Sequence, residues 1–306
     1  MNHLVAIVGP TAVGKSRLAI HLAQTFNGEI VNADSRQVYS YMDIGTDKPD
    51  RQQLSLVKHH LVDIINPDED FSLAHYQQLA YKAIDDIQQR QKLTILVGGS
   101  GLYVWAVLEG WGIPQVPPDP EFRRILEEKA DRGGTEELYQ ELMRVDPVSA
   151  QKIDRRNIRR MIRALEVYRN TDVPFSQFQR KNPPPFNTII IGLTMDRAEL
   201  YRRIDLRVER MIEQGLVEEV QKLVSMGYGF NLKAMSGIGY EQIGLFLKGE
   251  LTLPAAIQKV KFETHRFVRH QYSWFRLKDK RINWFDILDD RAESEIETLV
   301  AGFISK

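Results

Sequence analysis

Residues 9–16 read Gly9-Pro10-Thr11-Ala12-Val13-Gly14-Lys15-Ser16. Glycines at this spacing, ending in lysine and a hydroxyl, make a loop whose backbone N–H groups can cradle phosphate oxygens. Lys15 would bring a point charge to the terminal phosphates, and Ser16 a hydroxyl to Mg2+, which prefers oxygen ligands. An apolar run from Leu4 to Val8 precedes the loop and a helical pattern, SRLAIHLAQTF, follows it. That context separates it from an ordinary glycine turn, and the helix adds its positive end to the site. The loop alone does not say which phosphorylated molecule it holds. A second group with chemistry is Asp34, which with Ser35 follows the apolar run EIVNA. Ligands of open α/β sheets bind at the carboxyl ends of strands, so Asp34 is expected to face the phosphate site. It could hold a magnesium water, act as a base, or cap the following turn. The run LTILVGG leads into Gly98-Gly99-Ser100-Gly101. Many ATP-using enzymes have an Asp at the end of such a neighbouring strand.

These residues need a sheet to position them. Four apolar runs, near 3–8, 29–33, 93–99 and 188–195, are rich in Val and Ile and do not alternate with polar residues. That is the pattern of strands buried on both faces of a parallel sheet. Helical patterns lie between them, which predicts an α/β fold: a doubly wound parallel sheet with a phosphate-binding loop. GIPQVPPDP at 112–120 and KNPPPFN at 181–187 interrupt the alternation. Proline cannot continue a helix, so the charged helical sequence between them reads as an insertion. The expected division is a core of 1–113 with 185–306, a helical insertion domain at 114–184, and a helical C-terminal part beginning near 197.

The 306 residues include 43% hydrophobic and 27% charged side chains and no cysteine. This excludes disulfides and cysteine-based zinc sites and fits a reducing compartment. No apolar run approaches the length of a membrane span, and the N-terminus lacks the pattern of a signal peptide, so a cytoplasmic protein is expected. The 41 basic and 41 acidic residues cancel overall but not locally. Residues 114–143 hold 4 basic and 8 acidic groups, residues 144–184 hold 10 and 4, and residues 255–281 hold 8 and 2. Two positive segments are therefore concealed in a neutral average. In RRNIRRMIRALEVY, Arg156, Arg160 and Arg163 recur at helical spacing, as do Ile158, Ile162 and Leu165. One face can pack while the other meets phosphates or, more simply, water.

GPTAVGKS, NADSRQVYSYMDIGTDKP, HHLVDIINPDEDFS, LVGGSGLYVWAVLEG, RRNIRRMIRALEVY and AMSGIGYEQI occur in that order. Together they resemble the bacterial tRNA dimethylallyltransferase (tRNA isopentenyl-pyrophosphate transferase) family over about residues 4–277. The resemblance implies transfer of a five-carbon prenyl group from dimethylallyl diphosphate to the exocyclic amine of the adenine 3′ of the tRNA anticodon. The partner would be the anticodon stem-loop, the cofactor Mg2+, and the working form a monomer. Gly9 to Ser16 would then bind diphosphate rather than ATP, with Ser16 on the metal side. Asp34 matches the base, and Thr11 and Arg207 the groups acting on the diphosphate. Arg203 and Arg210 lie one turn from Arg207, so that choice rests on the resemblance. Asp34, Ser35, Arg36 and Gln37 match the segment reading the target nucleotide, and Ser100 stands where the family often has Thr. Arg123, Arg159, Arg160, Met161, Ile162 and Arg163 match its other tRNA contacts. In KVKFETHRFVRHQYSWFR, His265 and His270 stand where the family has arginine. An ATP-dependent kinase would explain the loop but neither the ADSRQVY segment nor the arginine-rich stretch.

Overall fold

The computed structural model describes residues 2–305. Its strands are β1 (His3–Val8), β2 (Gly28–Asn32), β3 (His59–His60), β4 (Leu93–Val97), β5 (Asn187–Thr194) and β6 (Ile282–Asp286). They form one sheet in the order β3-β2-β4-β1-β5-β6, with every pair parallel. Leu4 to Val8 and Leu93 to Val97 are buried throughout. Central strands with both faces covered have no solvent side on which to place a polar residue. The two strands without a run in the sequence reading lie at the sheet's edges. β3 has two residues, and in β6 Ile282 is buried while the four residues after it are more open, so neither makes a long apolar run.

Helices α1 (Lys15–Thr25), α2 (Arg51–Leu56), α3 (Leu73–Gln89) and α4 (Gly101–Leu108) lie in the first half of the chain. The insertion holds α5 (Pro120–Lys129), α6 (Thr135–Val145), α7 (Pro147–Lys152), α8 (Ile158–Thr171) and α9 (Phe175–Phe178). Beyond β5 come α10 (Arg197–Glu213), α11 (Leu216–Ser225), α12 (Tyr240–Leu247), α13 (Leu253–Trp274) and α14 (Ala292–Ile304). No helix of the described residues is long and apolar enough to cross a membrane.

The chain divides into two compact units, one of Met1–Leu108 with Pro185–Lys306 and one of Glu109–Pro184. In the first, Val5, Ile7, Leu22, Ile95, Ile191 and Leu193 form a core between the sheet and α1. A second cluster gathers Val38, Met42, Leu216, Val220, Tyr240 and Ile243. The insertion has its own core of Leu126, Leu138, Leu142, Ile153, Met161, Ile162 and Leu165. It begins at Glu109, ahead of the expected residue 114. Its two ends are zipped together: Trp111 bridges Lys181 in antiparallel fashion, Asn182 N donates to Gly110 O at 2.8 Å, and Gly112 N to Arg180 O at 2.8 Å.

Candidate active site

The Gly9–Ser16 loop leaves β1 at its carboxyl end and runs straight into α1. Gly9 (φ 139°) and Gly14 (φ 96°) adopt backbone conformations that L side chains rarely enter. A Cβ on Gly9 would lie 2.4 Å from Leu193 O of β5, so the turn also needs the missing side chain for space. The loop forms one wall of a cleft of about 860 Å3 within the first unit. Thr11 to Ser16, Asp34, Gln37, Asp47, Arg203, Arg207 and Arg210 are among the residues lining it.

Three cationic side chains of α10 thus face the cleft, but they end differently. Arg207 NH1 donates to Thr11 Oγ1 at 2.6 Å, and lies 3.3 Å from the Asp47 carboxylate. Arg203 turns back to Glu199 at 2.8 Å, and Arg210 to Leu206 O at 3.4 Å. Lys15 Nζ donates to Pro10 O at 2.6 Å. Burial pushes its pKa down to about 8; Asp34 and Asp47 act against the shift, while Arg207 adds to it.

Asp34 stands just beyond β2 and is held by its own neighbours. Its backbone N–H donates to Asn32 Oδ1 at 3.0 Å, and its Oδ1 accepts the Arg36 N–H at 2.8 Å. Asn32 is fixed in turn by donating to Leu61 O at 3.0 Å, and its carbonyl accepts from the Tyr76 hydroxyl at 3.1 Å. Asp34 therefore does cap the turn, but with one oxygen only. Ser35 N donates to Ser100 Oγ at 3.0 Å, tying the segment to the start of α4. Gln37 Nε2 donates to Thr46 O and Asp47 O at 3.1 and 3.0 Å. Arg36 is spent on the 233–236 turn, donating to Lys233 O at 2.8 Å and Ala234 O at 3.3 Å.

The other residues expected at tRNA separate sharply. Met161 and Ile162 are buried in the insertion's own core, so as RNA contacts they are corrected: packing on α6 and its neighbours leaves no side chain to offer. Glu166 is also fully buried, and Arg123 chelates it at 2.8 and 2.7 Å. Arg163 joins the same carboxylate and donates to Val116 O at 3.0 Å. Arg159 and Arg160 are exposed, and neither side chain has an ion pair among the described residues. The sequence pattern distinguished a packing face from a basic one, but not which arginines fold inward onto Glu166. His265 stacks on Tyr201 with ring centroids 4.1 Å apart and lies 2.9 Å from Asp205, a packed position, while His270 is exposed.

Sequence reasoning missed two parts of the cleft. Asp47 lies within the quoted GTDKP segment but had no role until the fold brought Arg207 to it. Ile287, Asp289 and Asp290, between β6 and α14, and Glu293 in the first turn of α14 close another side. They carry no motif, so nothing in the sequence marked them.

A family model, IPP transferase, matches residues 37–278. The chain belongs to the IPP transferase family. A tRNA dimethylallyltransferase of Dehalococcoides mccartyi is 50% identical over 302 residues, covering 99% of this chain and 93% of the relative. One from Roseiflexus castenholzii is 52% identical over 276 residues, 90% of each chain. Among solved structures, a tRNA isopentenylpyrophosphate transferase of Bacillus halodurans matches with 40% identity and a TM-score of 0.73, over 99% of this chain and 96% of that one. A eukaryotic dimethylallyltransferase described as acting on tRNA matches with 27% identity and a TM-score of 0.86, over 100% of this chain and 80% of that one.

Proposed function

We propose that this chain transfers the dimethylallyl group from dimethylallyl diphosphate to the exocyclic amine of the adenine just 3′ of the tRNA anticodon, releasing diphosphate. The observation that carries the reading is a carboxylate, Asp34, lining the same cleft as the Gly9–Ser16 loop and Arg207. The amine nitrogen forms a bond to the prenyl C1 as the C1–oxygen bond breaks. The bonding pair leaves on the bridging oxygen, and the amine proton passes to Asp34. An aromatic amine is a poor nucleophile, so loss of its proton during attack helps. The loop amides, Lys15 and Arg207 stabilise the charge that grows on the diphosphate.

Mg2+ fits this cleft in its donor chemistry: the Ser16 hydroxyl is exposed at the start of α1, and the carboxylates of Asp34 and Asp47 line the same space. No group of three or more His, Cys, Asp or Glu among the described residues could hold a metal. Ser16 is thus the residue that would share the ion with the substrate's own oxygens, where it would neutralise diphosphate charge.

For the reaction the adenine must leave the anticodon-loop stack, which single-stranded loops permit. Gln37 commits its amide nitrogen to Thr46 and Asp47, which leaves its oxygen as the atom able to accept from the adenine amine. Arg159 and Arg160 supply phosphate contacts from the insertion. All the reacting groups come from one chain, so a monomer suffices, and a cytoplasmic site follows from the tRNA substrate.

The test is direct. Protein, anticodon stem-loop RNA and labelled dimethylallyl diphosphate should give prenylated RNA. Asp34→Asn should lower turnover by about 100-fold or more, the scale of a positioned base, with both substrates still bound. Normal turnover in that variant would remove Asp34 as the base. Phosphoryl transfer from ATP without prenyl transfer would replace the whole reading by a kinase.

A further inference from the structure

Helix α13 reaches Thr11 and Gly99, two residues lining the cleft, through a side chain that the reaction outlined above leaves without a role. Gln271 is 3% exposed. Its Oε1 accepts the Thr11 N–H at 2.8 Å, and its Nε2 donates to Gly99 O at 3.1 Å. The next residue, Tyr272, exchanges a hydrogen bond with Thr194 Oγ1 at 2.9 Å. Thr11, Gly99 and Thr194 stand at the carboxyl ends of β1, β4 and β5, which are neighbours in the sheet. Two consecutive residues of one helix therefore strap three adjacent strand ends, on the side of the sheet where ligands bind.

We propose that Gln271 is a positioning residue for prenyl transfer, fixing Thr11 so that its hydroxyl holds the Arg207 guanidinium over the diphosphate. The inference rests on the functional reading given above and adds a residue to it. The chemistry of the tie is selective. A peptide N–H can only donate and a peptide carbonyl can only accept, so one neutral amide satisfies both and its orientation is set. A carboxylate would face the Gly99 carbonyl with an unprotonated oxygen and place negative charge beneath the diphosphate. An ammonium or guanidinium would point a donor at the Thr11 N–H. Asparagine is one methylene short. Gly99 bears the mark of the same contact: a Cβ there would lie 2.3 Å from Gln271 Nε2.

Thr11 then receives Arg207 NH1 at 2.6 Å. The tie thus acts one residue away from the reacting atoms. Loss of the amide frees the Thr11 backbone, and a shift of about 1 Å in a positioning group can cost about 100-fold in rate.

The experiment uses the full chain. Gln271→Met keeps the length and loses both hydrogen bonds. Gly99→Ala displaces the amide from the other side. Both should lower kcat by about 10- to 100-fold while KM for dimethylallyl diphosphate changes less than about threefold. Because misfolded protein would also lower the apparent kcat at unchanged KM, kcat is expressed per folded molecule, counted by circular dichroism. In a Thr11→Val background, which already lacks the hydroxyl, Gln271→Met should cost little more. Unchanged kcat in Gln271→Met, or a loss that multiplies in full in the Thr11→Val background, would overturn the proposal. Hydrogen exchange at the Thr11 amide, read without any substrate, should speed up in Gln271→Met; unchanged exchange would overturn the tie itself. If the unaltered chain prenylates no RNA while the exchange result holds, the functional reading fails and the tie to Thr11 stands.

Discussion

Lys15 is a charge that the fold makes harder to keep. Burial brings its pKa from 10.5 to about 8. Below pH 8 the ammonium is present in the free protein and, on the proposed reading, would meet the diphosphate directly. Above it, binding must first take up a proton, and each further pH unit costs up to about tenfold in affinity. The value of kcat/KM for dimethylallyl diphosphate should therefore fall above about pH 8. Lys15→Arg, whose charge does not titrate, should lower the value but flatten that limb. Identical high-pH limbs in the two proteins would show that another group titrates there. The same shift leaves the folded chain with fewer bound protons than the unfolded one between about pH 8 and 10.5, so the unfavourable contribution of Lys15 to stability is full below pH 8 and is relieved as pH rises. Ser16→Ala should leave the fold intact and raise the magnesium concentration needed for half-maximal rate; wild-type magnesium dependence would take Ser16 off the ion. At this scale the sequence was informative where a residue acts through the backbone that carries it. Glycine spacing placed Lys15 and Ser16. It could not place Arg123 or Arg163, because a basic residue on a helix reads alike whether it meets water or a buried Glu166.

Among the elements, α11 shows how a helix can hold a loop that borders the cleft. Glu219 accepts the N–H groups of Asp43, Ile44 and Gly45 at 3.0, 2.8 and 3.2 Å and the Tyr240 hydroxyl at 2.6 Å. Two of the quoted motifs, MDIGTDKP and AMSGIGYEQI, thus meet on one carboxylate. Glu219→Ala strands those donors and should destabilise the chain by about 2 kcal/mol in urea unfolding; no change in the midpoint would mean that water replaces the carboxylate without loss. Helix α8 divides differently. Arg159→Ala with Arg160→Ala should weaken anticodon stem-loop binding and reduce its salt slope by about two units, with prenyl diphosphate binding intact. An unchanged salt slope would return those residues to the role of a solvated face. The helical period made the packing side of α8 legible through Ile158, Ile162 and Leu165. Edge strand β6 was not legible, because Asn283 and Asp286 leave it without the continuous apolar run that marks central strands.

For the molecule as a whole, the sheet order puts β5 beside β1 although the insertion separates them in sequence. The proline-rich segments 112–120 and 181–187 fall at the two ends of the compact unit Glu109–Pro184, and its zipped ends explain why so long a connection is tolerated. Closing a loop depends on how far its ends must travel, and here Gly110 and Asn182 are one hydrogen bond apart. Gly133, exposed between α5 and α6 with φ 92° and nothing within 4 Å of a Cβ placed on it, marks an accessible break point. A chain cut there falls into one piece carrying β1 to β4 and another carrying β5 and β6. Co-expressed, the two pieces should find each other through the β1–β5 pairing and the helices of the insertion, and copurify through a tag on one of them. Recovery of the tagged piece alone would mean that covalent continuity is required. Seen this way, the zipped ends of the insertion make the polypeptide separable into two complementing fragments, with the Gly9–Ser16 and Asp34–Gln37 segments on one fragment and Arg207 on the other.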